Sequence, residues 1–582
     1  MGIDQQAAKR IQIFYYFLVM LVVVFVFRLF YLQVLRHDYY AQTALDSQLR
    51  QFEIPAERGS IYAYDGSEIV PLVLNETRYR VVADPQIIND IDRTAIELSS
   101  VINVPADKIK QKLETNSRYE ILANKQTKET KSAVEDLSLP GIFTTEKVPL
   151  RVYVRGDIAP QVLGFVNDAG TGNYGVEQFM NSDLAGVSGR VKALTDQNNV
   201  PLLATGDNIS IDAVDGQDIV LTMDVSMQKQ AEAILKTGLE HAISESGSVI
   251  IMEAETGAVK AMATYPTFDP AKFSEIEDPA VFTNTAVSTP LEPGSIMKVL
   301  TAAAAIDSGS VTPTQTYSDP GFFRADGATI TNVGRGGSAS TSVSDILQYS
   351  LNTGATWLLM QMGGGELNEQ GRKVWHDYLA NRYQFGKPTG IEQGFGSEAA
   401  GVVPDPLEGF GLSIKYANTA FGQGITVTPI QMVAAVASIV NGGDYYKPTL
   451  VSGTLGADGS VTPKQPEIVK SGIVAGPVSQ NIRSFMENVV VTNNRSAKRD
   501  GYRVGGKTGT AEIANPDGGY FEDKFNGTYV GFVGGDSPEY VIMVRVDEPK
   551  IPGYAGSQAA APIFSSLSNM LIDNFAVPRI SQ

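Results

Sequence analysis

The chain has 582 residues, with 46 Lys and Arg against 64 Asp and Glu, a formal net charge of −18 and 43% apolar residues. That composition supports sizeable cores, is too apolar for a disordered chain, and lacks the basic footprint of a nucleic-acid binder. There are no cysteines and only three histidines, His37, His241 and His376, which excludes disulfides, Fe–S clusters, thiolate zinc sites and a Cys nucleophile and leaves acid–base chemistry to Lys, Asp, Glu, Tyr or Ser.

The first informative segment runs from Ile11 to Leu35, interrupted by Arg28. At about 1.5 Å per residue it spans a bilayer with some tilt. Phe14, Tyr15 and Tyr16 at one end and Phe30 and Tyr31 at the other suit the two membrane interfaces. Lys9 and Arg10 precede the run, so residues 1–10 are expected to be a cytoplasmic tail and the rest extracytoplasmic. A cleaved signal peptide needs small residues after its apolar core; here the bulky RLFYLQVLRHDYY follows, so an uncleaved anchor over 11–35 is expected. Arg28 either snorkels or pairs with another membrane helix. No other stretch reaches about 18 apolar residues, so a single span is expected.

Residues 36–215 read as an α+β module of short elements, with a strand at 79–84 and helices at 94–102 and 107–114, and without a cluster of catalytic groups. Near 216 the texture changes. Residues 218–224 read as a strand, followed by an amphipathic helix with Asp224 or Ser226 as its N-cap. Two strands within 247–266 flank a turn at Glu255-Thr256-Gly257, and two more occupy 528–535 and 540–549. Strands, a long helical middle and then strands can close into one sheet with helices packed on it, so 216–578 is expected to be one large domain.

Three short motifs in that domain carry chemistry. Ser295 and Lys298 stand at i and i+3 at the start of IMKVLTAAAAIDSG, a helix apolar nearly all round and stopped by Gly309. Such a helix is buried, and so is a Lys in its first turn; burial lowers the Lys pKa, so a neutral amine could take the Ser proton. Alone the pattern is weak: roughly two S-x-x-K matches are expected by chance in a chain of this length, and a Ser N-cap with a snorkelling Lys is the ordinary alternative. Ser350 and Asn352 sit at the end of a helical stretch, where a hydroxyl and an amide can both face a cleft but are also common turn residues. Lys507-Thr508-Gly509-Thr510 lies in VGGKTGTAEIA, which reads as an edge strand able to pair with an extended peptide, its Gly505, Gly506 and Gly509 admitting another backbone and its Lys and Thr hydroxyls attracting a carboxylate. GYRVGGKT also matches a P-loop formally, but the sequence after Thr508 is strand-like, with a turn at residues 515–518, and lacks the required helix.

Taken together, Ser295-x-x-Lys298, Ser350-x-Asn352 and Lys507-Thr-Gly resemble the signature of β-lactamases and penicillin-binding proteins. Their spacing, with the pedestal landmarks Arg58-Gly59-Ser60-Ile61, Gly66, Arg151-x-Tyr153, Gly175-Val-Glu177 and Leu184-Ala-Gly186, is similar to that of the class B penicillin-binding proteins. Ala63 departs from that pattern, where the family has Asp. Thr256-Gly257, Phe268-Asp269-Pro270 and GQGITVTPIQ (422–431) also resemble family landmarks. The resemblance implies an α+β fold: a transmembrane helix, a non-catalytic pedestal over 36–215, and a transpeptidase domain over 216–578 with an antiparallel sheet flanked by helices. It implies that Ser295 is acylated, Lys298 is its general base, Ser350 and Asn352 relay protons and hold the substrate amide, and Lys507, Thr508, Gly509 and Thr510 bind the substrate, with the N–H groups of Ser295 and Thr510 as the oxyanion hole. No metal or organic cofactor is required, and too little chain precedes the anchor for a glycosyltransferase module. The implied reaction is D,D-transpeptidation at D-Ala–D-Ala of peptidoglycan stem peptides, blocked by β-lactams. The pattern Tyr349-Ser-Leu-Asn-Thr-Gly looks closer to the division type, whose partner would be a polytopic glycan polymerase, and Arg28 could take part in that contact. A D,D-carboxypeptidase or β-lactamase on the same fold, a β-lactam sensor and a catalytically silent scaffold are the alternatives; a sensor would need further spans or a signalling domain.

Overall fold

The computed structural model describes residues 5–37, 39–40, 49–194, 209–394, 398–515 and 518–581. Part of the expected tail, and Pro516 and Asp517 of the turn expected at 515–518, lie outside them. The chain forms two units, residues 1–57 with 186–216, and 58–185 with 217–582.

In the first unit an α-helix over Gln5–Phe30 continues as a π-helical turn over Tyr31–Leu35. The stretch Lys9–Leu35 is long and apolar enough to cross a membrane. The Arg28 guanidinium lies 5.6 Å from the centre of the Tyr31 ring, a cation–π contact that leads the charge along the helix toward its end. Strands Leu49–Ile54, Gly189–Leu194 and Ile209–Ile211 form a small antiparallel sheet in the same unit.

In the second unit, β1 (Ile61–Asp65), β2 (Glu68–Ala83), β3 (Glu120–Gln126) and β4 (Ile142–Tyr153) pair antiparallel, with both β3 and β4 on β2. Helices Ile91–Ile102, Ala106–Leu113 and Lys128–Asp136 close a satellite core around Leu98, Ile109, Leu113 and Leu122. The first opens on Asp90, which accepts the Arg93 N–H, and ends on Asn103 in the left-handed conformation, so its two ends are capped locally. Strand β5 (Asp218–Asp224) runs parallel to β1 and antiparallel to the strand Val451–Leu455, so one sheet joins segments far apart in the chain. Gly59 must be glycine here: a Cβ would fall 1.9 Å from the Gln217 carbonyl oxygen.

Three of the pedestal landmarks, those of Arg58, Arg151 and Glu177, converge on one buried cluster. Glu177, with a fully buried side chain, receives Arg58 Nη2 at 2.6 Å and Arg151 Nε at 2.7 Å. Arg151 Nη1 also donates to Gly59 O and Asn75 Oδ1, both at 2.8 Å, and Arg58 Nη1 to Asn181 Oδ1 at 2.9 Å. Ala63, in the place of the family Asp, is buried in β1.

Helix α1 (Val225–Ala242) is capped by Asp224, whose carboxylate accepts the Met227 N–H at 2.8 Å; Ser226, the other candidate cap, instead donates to Asp65 at 2.6 Å. It leads into β6 (Ser246–Glu253) and β7 (Val259–Tyr265). Then come helix α2 (Met297–Asp307), strand β8 (Ala328–Thr331), helices α3 (Val343–Gln348), α4 (Asn352–Met362) and α5 (Pro429–Val440), strands β9 (Arg503–Ala514), β10 (Tyr520–Gly534) and β11 (Pro538–Asp547), and helix α6 (Ala561–Asn574). The antiparallel sheet has the order β7-β6-β11-β10-β9. Alternate residues face opposite ways: Val249, Ile251, Tyr529 and Val533 pack with Leu235, Phe564 and Leu567 of α1 and α6, while Ile250, Met252, Val530 and Phe532 pack with Leu300 and Val433 of α2 and α5. Both faces are covered, which is why the strands read as continuous apolar runs rather than alternating ones.

Candidate active site

Ser295 lies in a single 3₁₀ turn, Gly294–Ile296, that leads into α2. It makes no capping hydrogen bond there, so the simple N-cap reading does not hold. Every residue of α2 from Met297 to Ala305 is fully buried, Lys298 included, as a helix apolar on all sides requires. The Lys298 amine has four polar neighbours: Ser295 Oγ at 2.9 Å, Ser350 O at 2.7 Å, Ser350 Oγ at 3.3 Å and Asn352 Oδ1 at 2.8 Å. All four are neutral.

Ser350 occupies the break between α3 and α4 with φ of +56°. This left-handed conformation is unfavourable for a residue with a Cβ and persists where surrounding structure enforces it. Asn352 opens α4, and its amide donates to Thr331 O at the end of β8 (3.1 Å), which turns Oδ1 toward Lys298. Beneath it, Thr353 donates its N–H to Asn332 Oδ1 (3.0 Å) and its hydroxyl to Asp319 (2.8 Å), and Asn332 also donates to Asp319 (3.1 Å).

The third motif arrives on β9, the edge strand of the sheet, hydrogen-bonded along its length to β10. Lys507 is buried; its amine donates to Ser350 Oγ at 3.0 Å and to Thr508 O at 2.9 Å, with Thr508 Oγ1 at 3.5 Å. The Thr510 hydroxyl oxygen accepts the Gly556 N–H at 3.1 Å. Because β9 continues as strand to Ala514, no helix follows Thr508 and the formal P-loop match fails.

Two buried lysines therefore share one serine hydroxyl. Burial, then the neighbouring charge of Lys507, holds the Lys298 amine well below the ordinary lysine range. Burial alone pulls Lys507 down to about 7. Among the described residues neither amine pairs with a carboxylate, so the arrangement favours one neutral amine beside one ammonium.

Backbone closes around Ser295. A Cβ on Gly294 would lie 2.8 Å from Thr510 O, one on Gly422 2.1 Å from Gly294 O, one on Gly509 2.8 Å from Pro293 O, and one on Gly556 2.2 Å from Gly509 O. The other two glycines of the third motif differ from expectation. Gly505 and Gly506 make room for the rings of Phe532 and Tyr529, at 2.3 and 2.4 Å from the missing Cβ, because the neighbouring strand carries large aromatics. Sequence reasoning also missed Phe421, whose ring centre is 6.0 Å from the Lys298 amine, and the support network of Asp319 and Asn332. Gly422 was visible only as part of a landmark without a stated cause. Among the described residues no group of three or more His, Cys, Asp or Glu is placed to hold a metal ion.

The penicillin binding protein transpeptidase domain matches residues 247–569, and the penicillin-binding protein dimerisation domain matches residues 53–221. The stage V sporulation protein D of Bacillus subtilis is 32% identical over 95% of this chain and 84% of its own length. The peptidoglycan D,D-transpeptidase FtsI of Escherichia coli K12 is 25% identical over 93% of this chain and 87% of its own. The crystal structure of penicillin binding protein 2X from Streptococcus thermophilus superposes with a TM-score of 0.72 at 24% identity, covering 90% of this chain and 80% of that one.

Proposed function

The chain belongs to the class B penicillin-binding proteins, serine-type peptidoglycan D,D-transpeptidases, and on that premise we propose that Ser295 is the acylated nucleophile and Lys298 its general base. The observation that carries this reading is the buried Lys298 amine, 2.9 Å from Ser295 Oγ, held by Ser350 and Asn352 and facing no carboxylate among the described residues. Ser295 Oγ attacks the carbonyl carbon of the penultimate D-Ala while its proton passes to the neutral Lys298 amine. The oxyanion faces the N–H groups of Ser295 and Thr510, each worth roughly 10²–10³ in rate. Collapse breaks the peptide bond, and the departing D-Ala amine takes the proton through Lys298 and Ser350. An amine of a second stem then attacks the acyl-enzyme, loses a proton to Lys298 and forms the cross-link as Ser295 regains its hydrogen. Asn352 holds the substrate amide. Lys507 as ammonium, with the Thr508 and Thr510 hydroxyls, holds the terminal carboxylate, and Gly509 keeps that strand close to the nucleophile's turn. A β-lactam enters by the same route, but its leaving amine stays tethered and the adduct persists.

Incubation with benzylpenicillin should raise the intact mass by one drug molecule, and peptide mapping should find it on the fragment carrying Ser295. An adduct elsewhere overturns the nucleophile assignment, and rapid turnover of a chromogenic β-lactam without an adduct would assign a hydrolase instead.

The pH dependence follows from the two lysines. A terminal carboxylate binds the protonated form of Lys507, so in the free enzyme acylation should fall as pH rises through about 7. On the acid side it should fall as Lys298 becomes protonated, at a pH well below the ordinary lysine value. A β-lactam ester lacking the carboxylate should lose the alkaline limb; if it keeps it, Lys507 does not act through the carboxylate.

The domain reading is a tail over 1–10, an anchor over 11–35, a pedestal over 36–215 and a transpeptidase domain over 216–578, with the catalytic side extracytoplasmic, as supported by Lys9 and Arg10 at the N-terminal end of the apolar helix. The role is septal wall synthesis, supported by the FtsI-named relative, with a polytopic glycan polymerase as the partner that the class B resemblance implies. Depletion that blocks septation supports it; normal septation with a defect confined to sporulation would replace it with the role named in the B. subtilis relative.

A further inference from the structure

A cavity of about 150 Å³ lies beside Ser350, lined among others by Asp319, Arg335, Ser338, Thr341, Asp345 and Tyr349. Its most distinctive feature is Arg335, whose guanidinium carbon sits 3.7 Å from the centre of the Tyr349 ring, a close cation–π stack on the residue that precedes Ser350. The two acids in the wall are already engaged. Asp319 accepts from Gly321 N at 2.9 Å, Asn332 at 3.1 Å and Thr353 at 2.8 Å. Asp345 accepts the Ser342 N–H at 2.9 Å and its hydroxyl at 2.7 Å, completing the cap of α3. Arg335 is exposed and forms no hydrogen bond or ion pair with any described residue, so its five donors face solvent while the ring fixes its plane.

The position of this guanidinium matters as much as its freedom. The turn carrying it leaves β8 at Thr331, whose carbonyl orients Asn352. On its other side the turn meets the loop after β11: a Cβ on Gly334 would come within 3.6 Å of the Tyr554 hydroxyl, and two residues later Gly556 donates to Thr510. Arg335 thus sits on a turn tied on one side to Asn352 through Thr331 and on the other to the loop whose Gly556 donates to Thr510, and since the terminal carboxylate is assigned to the Lys507 strand, the anionic group left for Arg335 is one upstream of the scissile bond.

We propose that Arg335, planed against Tyr349, is a specificity-determining residue that binds an anionic group, a carboxylate on the donor stem upstream of the scissile bond. This rests on the catalytic assignment above. A planar guanidinium takes a carboxylate bidentately, and the cavity admits a group of that size. Nothing in the step is covalent: the carboxylate is held while Ser295 reacts.

The test compares two penicillins that differ in one charge, carbenicillin with a side-chain carboxylate and benzylpenicillin without it. Their acylation rate constants are measured on the full-length protein by competition with a fluorescent penicillin. Arg335→Ala should lower the carbenicillin-to-benzylpenicillin ratio about fivefold, the scale of a partly exposed charge pair. Arg335→Lys should keep part of the preference, and raising the salt to about 0.5 M should shrink the wild-type ratio toward that of Arg335→Ala. An unchanged ratio, whether both rates fall together or neither does, overturns the proposal. Failure of benzylpenicillin to acylate the wild type at all would instead overturn the catalytic assignment, so the two failures are distinct.

Discussion

Lys298→Met should slow acylation by benzylpenicillin by about 10³-fold, within the 10²–10⁴ range expected for loss of a positioned general base. Methionine occupies nearly the same space on α2, so the buried helix stays packed and only the amine is lost. Lys298→Arg should do no better, because a guanidinium does not become neutral in a protein and cannot accept the Ser295 proton. The stability of Lys298→Met should move the other way. Burying an amine disfavours its charged form, and an apolar side chain in its place removes that penalty, so the melting temperature should hold or rise. Slow labelling with an intact or higher melting temperature separates lost chemistry from lost structure. Labelling of Lys298→Met at a rate near the wild type would refute the base assignment.

Glu177→Gln should destabilise the pedestal by about 3–5 kcal/mol, the range for breaking a buried ion pair by removing one partner. Both guanidiniums it serves have side chains less than a tenth exposed, and without the carboxylate both remain buried with neutral acceptors only. Against a typical stability of about 5–15 kcal/mol that is a large fraction. The expected readout is a markedly lower onset of thermal unfolding in the detergent-solubilised full-length protein, or failure to accumulate. Any folded fraction should still label with penicillin, since residue 177 is not among the groups around Ser295. Replacing Arg58, Arg151 and Glu177 together by apolar residues should recover more stability than the single change leaves, as when a whole ionic triad is exchanged. If Glu177→Gln melts with the wild type, the cluster is not what fixes the pedestal.

Much of this architecture could be read from local pattern. The apolar N-terminal run, the helix of α2 with no polar face and the glycine-rich edge strand each announce themselves within a dozen residues, because burial on one or all sides dictates side-chain type at that spacing. The rest depends on partners far away in sequence. Ser226 looked as good a cap as Asp224 until Asp65, 161 residues earlier, claimed its hydroxyl. Arg58 and Glu177 are 119 residues apart, and no local propensity encodes their meeting. That β5 joins the sheet of β1 and β2 follows from tertiary pairing alone. The gathering of the Ser295, Ser350 and Lys507 motifs was anticipated only through resemblance, since spacing does not imply contact. The left-handed backbone at Ser350 had no signature at all: serine is an ordinary turn residue, and nothing local says which turn forces it.

The glycines around Ser295, the proposed nucleophile, bear on how such an enzyme could escape a drug. Gly294, Gly422, Gly509 and Gly556 face main-chain carbonyls at distances that exclude even a methyl group. Carbonyls of the main chain cannot be mutated away, and they cannot turn aside as a flexible side chain does. A single codon change at any of these four positions should disable the enzyme together with its acylation by the antibiotic. Selection for resistance is thereby pushed outward, to positions whose neighbours are side chains, where discrimination between a stem peptide and a β-lactam can change in small steps.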